Sequence, residues 1–108
     1  MGVIDSTTFA QLRESTDADF VAELVQTFLH DAPQLIAALR SSATSGDAIA
    51  FRRAAHSLKA NCNTFGAMQL AVLARDLESR GLPAAAHLDA LEREYASAAA
   101  ELKGLSRA

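Results

Sequence analysis

Ala55-His56-Ser57-Leu58-Lys59-Ala60-Asn61-Cys62-Asn63-Thr64-Phe65-Gly66-Ala67 decides the reading of this chain, because helical spacing turns its histidine away from its apolar residues. At about 100° per residue, Phe51, Ala54, Ala55, Leu58, Cys62 and Phe65 gather on one side, at intervals of mostly three and four. By the same arithmetic His56 points about 160° away from Leu58. Its neighbours on that outward face are Arg52 and Arg53 one turn before, Lys59 and Ala60 one turn after, and Asn63 two turns on. An unperturbed imidazole, with a pKa of about 6.5, offers a nucleophilic nitrogen at neutral pH. On a cationic helix face, with a small residue beside it, such a ring suits an anionic phosphoryl group.

Working outward, caps and periodicity place five helices, over approximately 5–14, 17–41, 47–65, 67–80 and 83–103. Asp5 is a cap for a short first helix that carries Phe9 and Leu12, and Thr16 or Asp17 for the second. The second helix spaces Phe20, Leu24, Phe28, Leu35 and Leu39 along one face, with Val21, Val25 and Ile36 widening the stripe. Pro33 removes one backbone donor, and a kink near His30 and Asp31 is expected rather than a break, since the apolar pattern resumes in register. Ser41 to Gly46 reads as a loop by composition, Asp47 as the N-cap of the histidine helix, and Gly66 as its end. The fourth helix carries Leu70, Leu73, Ala74 and Leu77 and stops at Gly81. Pro83 suits the first turn of a fifth, which runs through Leu88, Leu91, Tyr95 and Leu102. Short connections between amphipathic helices predict an all-α fold, an antiparallel up-down four-helix bundle with the short N-terminal helix capping one end.

The 108 residues suffice for one hydrophobic core, so residues 1–108 read as a single domain. A formal net charge of -3 argues against a nucleic-acid partner, whose phosphates demand a basic surface, and makes the cluster around His56 a local feature. One cysteine forms no intramolecular disulfide, and no apolar run approaches the roughly 20 residues of a membrane span. Met1-Gly2-Val3-Ile4-Asp5 lacks the basic start and apolar core of a signal peptide, so a cytoplasmic location and no membrane partner are expected. Cys62 falls on the apolar stripe as a small core residue. His30 and His87 lie on different helices without metal-ligand spacing and read as surface histidines, so no metal site is expected.

Ala55, His56, Leu58 and Lys59, then Gly66-Ala67, Leu70, Leu73 and the pair Leu77-Glu78, resemble in order the signature of the histidine-containing phosphotransfer (HPt) domains of multistep phosphorelays. The family's usual glycine one turn after the histidine is Ala60 here, still small enough to leave the ring accessible. The resemblance implies that His56 accepts a phosphoryl group from a receiver-domain aspartyl phosphate and passes it to a response-regulator aspartate. It implies Lys59 as the cation that stabilises phosphoryl charge, and Glu78 as the acceptor for the ring's Nδ1, which leaves Nε2 to attack. Arg52 and Arg53 would steer an acidic partner, Asn63 would meet it near His56, and Phe9 and Leu12 on the first helix would supply apolar docking contacts. The partners implied are response-regulator receiver domains and a sensor or hybrid histidine kinase, with the chain acting as a monomer. No Gly-rich phosphate loop or Walker-type lysine is present, so neither kinase activity nor a cofactor of its own is expected, and Mg²⁺ would sit on the receiver. The rival reading is a non-catalytic helical adaptor that binds a receiver or kinase without transferring phosphate. A metal-binding bundle would need Glu-x-x-His pairs in the core, which the sequence lacks.

Overall fold

The computed structural model describes residues 4–15, 17–81 and 85–107, and every element among them is a helix: α1 (Ser6–Ser15), α2 (Ala18–Ser45), α3 (Ala48–Phe65), α4 (Met68–Arg80) and α5 (Ala85–Arg107). Polar side chains start three of them. Thr8 N–H donates to Asp5 Oδ2 at 3.2 Å, Phe20 N–H to Asp17 Oδ1 at 2.7 Å, and Ala50 N–H to Asp47 Oδ1 at 3.1 Å, each satisfying an amide that the helix itself leaves without an acceptor.

Two helices run longer than the sequence predicts. Residues 41–45, read as loop, are the last turn of α2. Their hydroxyls turn back onto the helix, Ser42 Oγ to Ala38 O at 2.6 Å and Thr44 Oγ1 to Arg40 O at 3.0 Å, so the side chains reinforce the helical backbone that their composition seemed to oppose. The helix ends where Gly46 adopts a left-handed φ of 77° and donates to Ser42 O. At the other end of the chain α5 continues past residue 103 to Arg107. Pro83, placed by the sequence in the first turn of α5, lies outside the described residues. Pro33 sits inside α2, which is helical on both sides of it.

The core is a single cluster. Phe51, Ala54, Ala55, Leu58, Cys62 and Phe65 of α3 are all buried, and Leu70, Ala71, Ala74 and Leu77 of α4 meet them. The buried line of α2 is Val21, Val25, Phe28, Ala32, Ile36 and Leu39, one residue off the predicted centre, so that Phe20 is left 47% exposed. Phe28 bridges the interior, its ring centroid 5.3 Å from Phe65 and 6.0 Å from Tyr95 of α5. Packing runs from α2 to α3, α3 to α4, α4 to α5 and α5 back to α2, while α1 lies against α3 and α2. α1 is tied down at the α3–α4 turn by Asp5 N–H donating to Gly66 O at 2.7 Å. Gly66 is required there twice over: its φ of 78° is left-handed, and a Cβ would stand 2.9 Å from Asp5 O.

Candidate functional site

α3 and α4 form the most extensively packed helix pair, joined by Gly66 and Ala67, and the pairing sets two outward-facing side chains of α3 against one of α4. His56 Nδ1 lies 2.8 Å from Glu78 Oε2, and Lys59 Nζ lies 2.8 Å from Glu78 Oε1. One carboxylate thus holds a ring nitrogen on one oxygen and an ammonium on the other. The hydrogen bond from Lys59, and after it the one from His56, keeps the Glu78 carboxyl below its ordinary value, so Glu78 is an anion at neutral pH. An ionised carboxylate only accepts hydrogen bonds, so Nδ1 must carry the proton. In the neutral ring Nε2 then has the lone pair. The His56 side chain is 63% exposed, against 26% for Lys59 and 27% for Glu78, so the ion pair is sheltered beneath an open imidazole.

Around this trio Ala60 and Asn63 are exposed on α3, and Arg53 is exposed without an ion-pair partner among the described residues. Asp47 caps α3, and among the described residues it forms no ion pair with Arg52 or Arg53. Arg52 lies across the C-terminal end of α4, so close over Gly81 that a Cβ there would sit 3.3 Å from its Nη2. That end carries the negative pole of the helix, which favours a guanidinium. Asp76, one turn from the end of α4, pairs with Arg80 at 3.6 Å and leaves Glu78 as the carboxylate on His56.

The first helix does not contribute the apolar docking contacts expected of it. Phe9 is 2% exposed and belongs to the core, and Leu12 is half-buried against it, because α1 uses its apolar face to close the end of the bundle. Apolar surface near the histidine comes from α4 instead. Met68 and Val72, 41% and 42% exposed, border a groove of about 150 Å³ together with Lys59, Asn63, Ala71 and Arg75. The sequence held the signal, since Met68 and Val72 fall about 160° from Leu70 on a helical projection and cannot belong to its core stripe. Cys62, fully buried, has its thiol pushed up to about 12 by desolvation, so it is unreactive at neutral pH. His30 and His87 are both exposed. Among the described residues no three His, Cys, Asp or Glu side chains converge as a metal site, and no helix is long and apolar enough to cross a membrane.

The family model for the Hpt domain matches residues 23–107. The chain belongs to the Hpt domain family. The Hpt domain here is similar over nearly all of its length to a crystal structure of histidine-containing phosphotransfer protein B (HptB) from Pseudomonas aeruginosa PAO1. The two share 30% sequence identity over 96% of this chain and 94% of the other, with a TM-score of 0.88. A search of curated proteins finds no match to this Hpt domain.

Proposed function

We propose that this Hpt domain is a phosphorelay intermediate that takes a phosphoryl group on Nε2 of His56 from a receiver-domain aspartyl phosphate and gives it to the aspartate of a response regulator. The observation that carries the reading is the exposed imidazole whose Nδ1 is committed to an ionised Glu78, leaving Nε2 as the nucleophilic nitrogen toward solvent. The Nε2 lone pair attacks phosphorus in line, and an N–P bond forms as the bond from phosphorus to the aspartyl oxygen breaks. The bonding pair leaves with the aspartate as a carboxylate. The ring keeps its Nδ1 proton and becomes cationic, and the Glu78 carboxylate offsets that charge. Transfer onward is the reverse reaction on another aspartate.

Lys59 is the cation next to this chemistry. An ammonium has three N–H donors, and with one on Glu78 two remain for phosphoryl oxygens. Arg52 and Arg53 form the basic rim that steers an acidic partner, and Ala60 leaves room over the ring. The receiver docks along α3 and α4, over Lys59, Asn63, Met68 and Val72. The Mg²⁺ of the reaction belongs to the receiver, and this chain contributes neither a nucleotide site nor kinase chemistry. The helical ring, with Gly46-Asp47 and Gly66-Ala67 as its tight connections, is an antiparallel up-down bundle with α1 as its cap, acting as a cytoplasmic monomer.

Incubation with a phosphorylated receiver domain tests the reading directly. Acid-labile label should appear on the wild-type chain and disappear from the receiver in equal amount. Receiver binding without transfer of label would instead assign the chain to a non-catalytic adaptor role.

A further inference from the structure

Sulfur is placed unevenly in this chain. Of its one cysteine and two methionines, Met1 lies outside the described residues, Cys62 is shut in the core, and Met68 is 41% exposed. Cys62 offers an oxidant neither access nor a thiolate, since burial pushes its thiol up to about 12. A thioether needs no deprotonation to react, so the exposure of Met68 leaves it open to oxidation. Its place is fixed by the turn that precedes it: Ala67 is fully buried, and the Met68 N–H donates to Gly66 O at 2.9 Å. There Met68 lines the groove of about 150 Å³ with Val72, beside the nitrogen-bearing side chains of Lys59, Asn63 and Arg75. We propose that Met68 is an oxidation site for small peroxides and that its sulfoxide weakens the docking of a receiver domain on this groove. The sulfur lone pair attacks one oxygen of hydrogen peroxide, and an S–O bond forms as the O–O bond breaks. The proton of the transferred hydroxyl passes to the departing hydroxide, which leaves as water. The product carries a strongly polar oxygen where an apolar edge stood. Burying that oxygen beneath a partner costs desolvation, and beside Lys59, Asn63 and Arg75 it takes N–H donors that acidic groups of the receiver would otherwise use. The inference rests on the docking of a receiver along α3 and α4 and adds to it a control by oxidation.

The full chain treated with millimolar hydrogen peroxide provides the test, with peptide mass spectrometry to locate the added oxygen. Calorimetric titration then measures the Kd for a receiver domain carrying beryllofluoride, a stable stand-in for its aspartyl phosphate. Oxidation at Met68 should weaken binding about tenfold. The melting temperature should stay at its untreated value, as should the ring ¹⁵N shifts of His56, which report its tautomer. The rate of labelling by phosphoramidate, a small phosphoryl donor that needs no docking surface, should not change either. Methionine sulfoxide reductase should restore the affinity. Met68→Leu, similar in volume and free of sulfur, should bind as wild type does and keep its affinity through the peroxide treatment, which separates Met68 from Met1 and Cys62. Met68→Gln, polar at the same place, should bind about as weakly as the oxidised chain with no peroxide added. Full oxidation of Met68 with unchanged affinity, an equal loss in Met68→Leu, or peroxide that leaves Met68 unmodified would each overturn the proposal. Val72→Asp tells the two possible failures apart. If it weakens binding while the sulfoxide does not, the docking face stands and the control by oxidation falls; if neither changes the Kd, both fall.

Discussion

Two charged clusters bridge helices in this molecule, and they are built in opposite proportion. On the α2–α5 side Arg40 is shared by two carboxylates, with Nε donating to Glu92 Oε1 at 2.7 Å and Nη2 to Asp89. On the α3–α4 side one carboxylate, Glu78, is shared by two donors, Lys59 and His56. Arg40 is held ever more firmly as a cation by its two acids and has no lone pair to offer, and each acid spends an oxygen on the guanidinium. Glu78 has the reverse effect. It uses the proton-bearing side of His56 and leaves the other nitrogen open. Both clusters are partly exposed and neither suffices to hold helices together in water, so the difference between them is chemical rather than structural.

The sharpest way to break the comparison is to remove the nucleophile. His56→Gln should abolish phosphoryl acceptance from a receiver while moving the melting temperature by no more than about 3 °C, since an exposed side chain outside the core contributes little to stability. Acid-labile labelling and thermal melting by circular dichroism read the two effects on one sample. Label at the wild-type level would remove His56 from the reaction, and extensive unfolding would make it a structural residue.

The next largest effects distinguish docking from folding. Phe9→Ala should destabilise the chain by about 3–5 kcal/mol, because it empties a buried aromatic site at the foot of α1. Val72→Asp should leave melting nearly unchanged and raise KM for a phosphorylated receiver about tenfold, with labelling by phosphoramidate unaffected. Steady-state transfer kinetics beside denaturant titration check both. A receiver KM that responds to neither Val72→Asp nor Arg75→Glu would move the docking face off α4.

What the sequence allows to be read follows from how local each cause is. The α3 stripe and the outward turn of His56 depend only on helical period and the burial of one face, and the six apolar residues of that stripe are the six buried ones. Residues 41–45 read as loop because serine and threonine compete with helix in an isolated segment, whereas here their hydroxyls bond back to carbonyls within a helix already held by its core. Phe9 is buried for a reason its own segment does not carry. Whether a short amphipathic helix shows or hides its apolar face depends on where it docks, and that is set by the Asp5–Gly66 hydrogen bond between segments far apart in sequence. The meeting of Glu78 with both His56 and Lys59 is likewise tertiary, since a separation of 22 and 19 residues carries no geometry until α3 and α4 pair.

Acid offers the smallest and most selective perturbation, because both clusters rest on glutamates titrating below their ordinary value, Glu78 chiefly through Lys59 and Glu92 chiefly through Arg40. A carboxyl whose folded pKa is depressed contributes stability that is complete above its unfolded value and is lost as pH falls through the folded one. Both clusters should therefore weaken the fold from about pH 5 downward, the unfolded glutamate value lying near 4.3. Glu78→Gln should remove one of these contributions and Arg40→Met the other, each giving a flatter dependence of melting temperature on pH across the acid range. The two variants should part company in function. Arg40→Met leaves the His56 ring shifts and the phosphoramidate rate at wild-type values, because its cluster lies on the α2–α5 side, whereas Glu78→Gln changes both. Melting curves between pH 3 and pH 7 at low and high salt provide the measurement, and the Arg40→Met loss should shrink as salt screens an exposed cluster. Identical pH profiles for wild type and Glu78→Gln would mean that the carboxylate is not held in the folded state, and the tautomer of His56 would then need another cause.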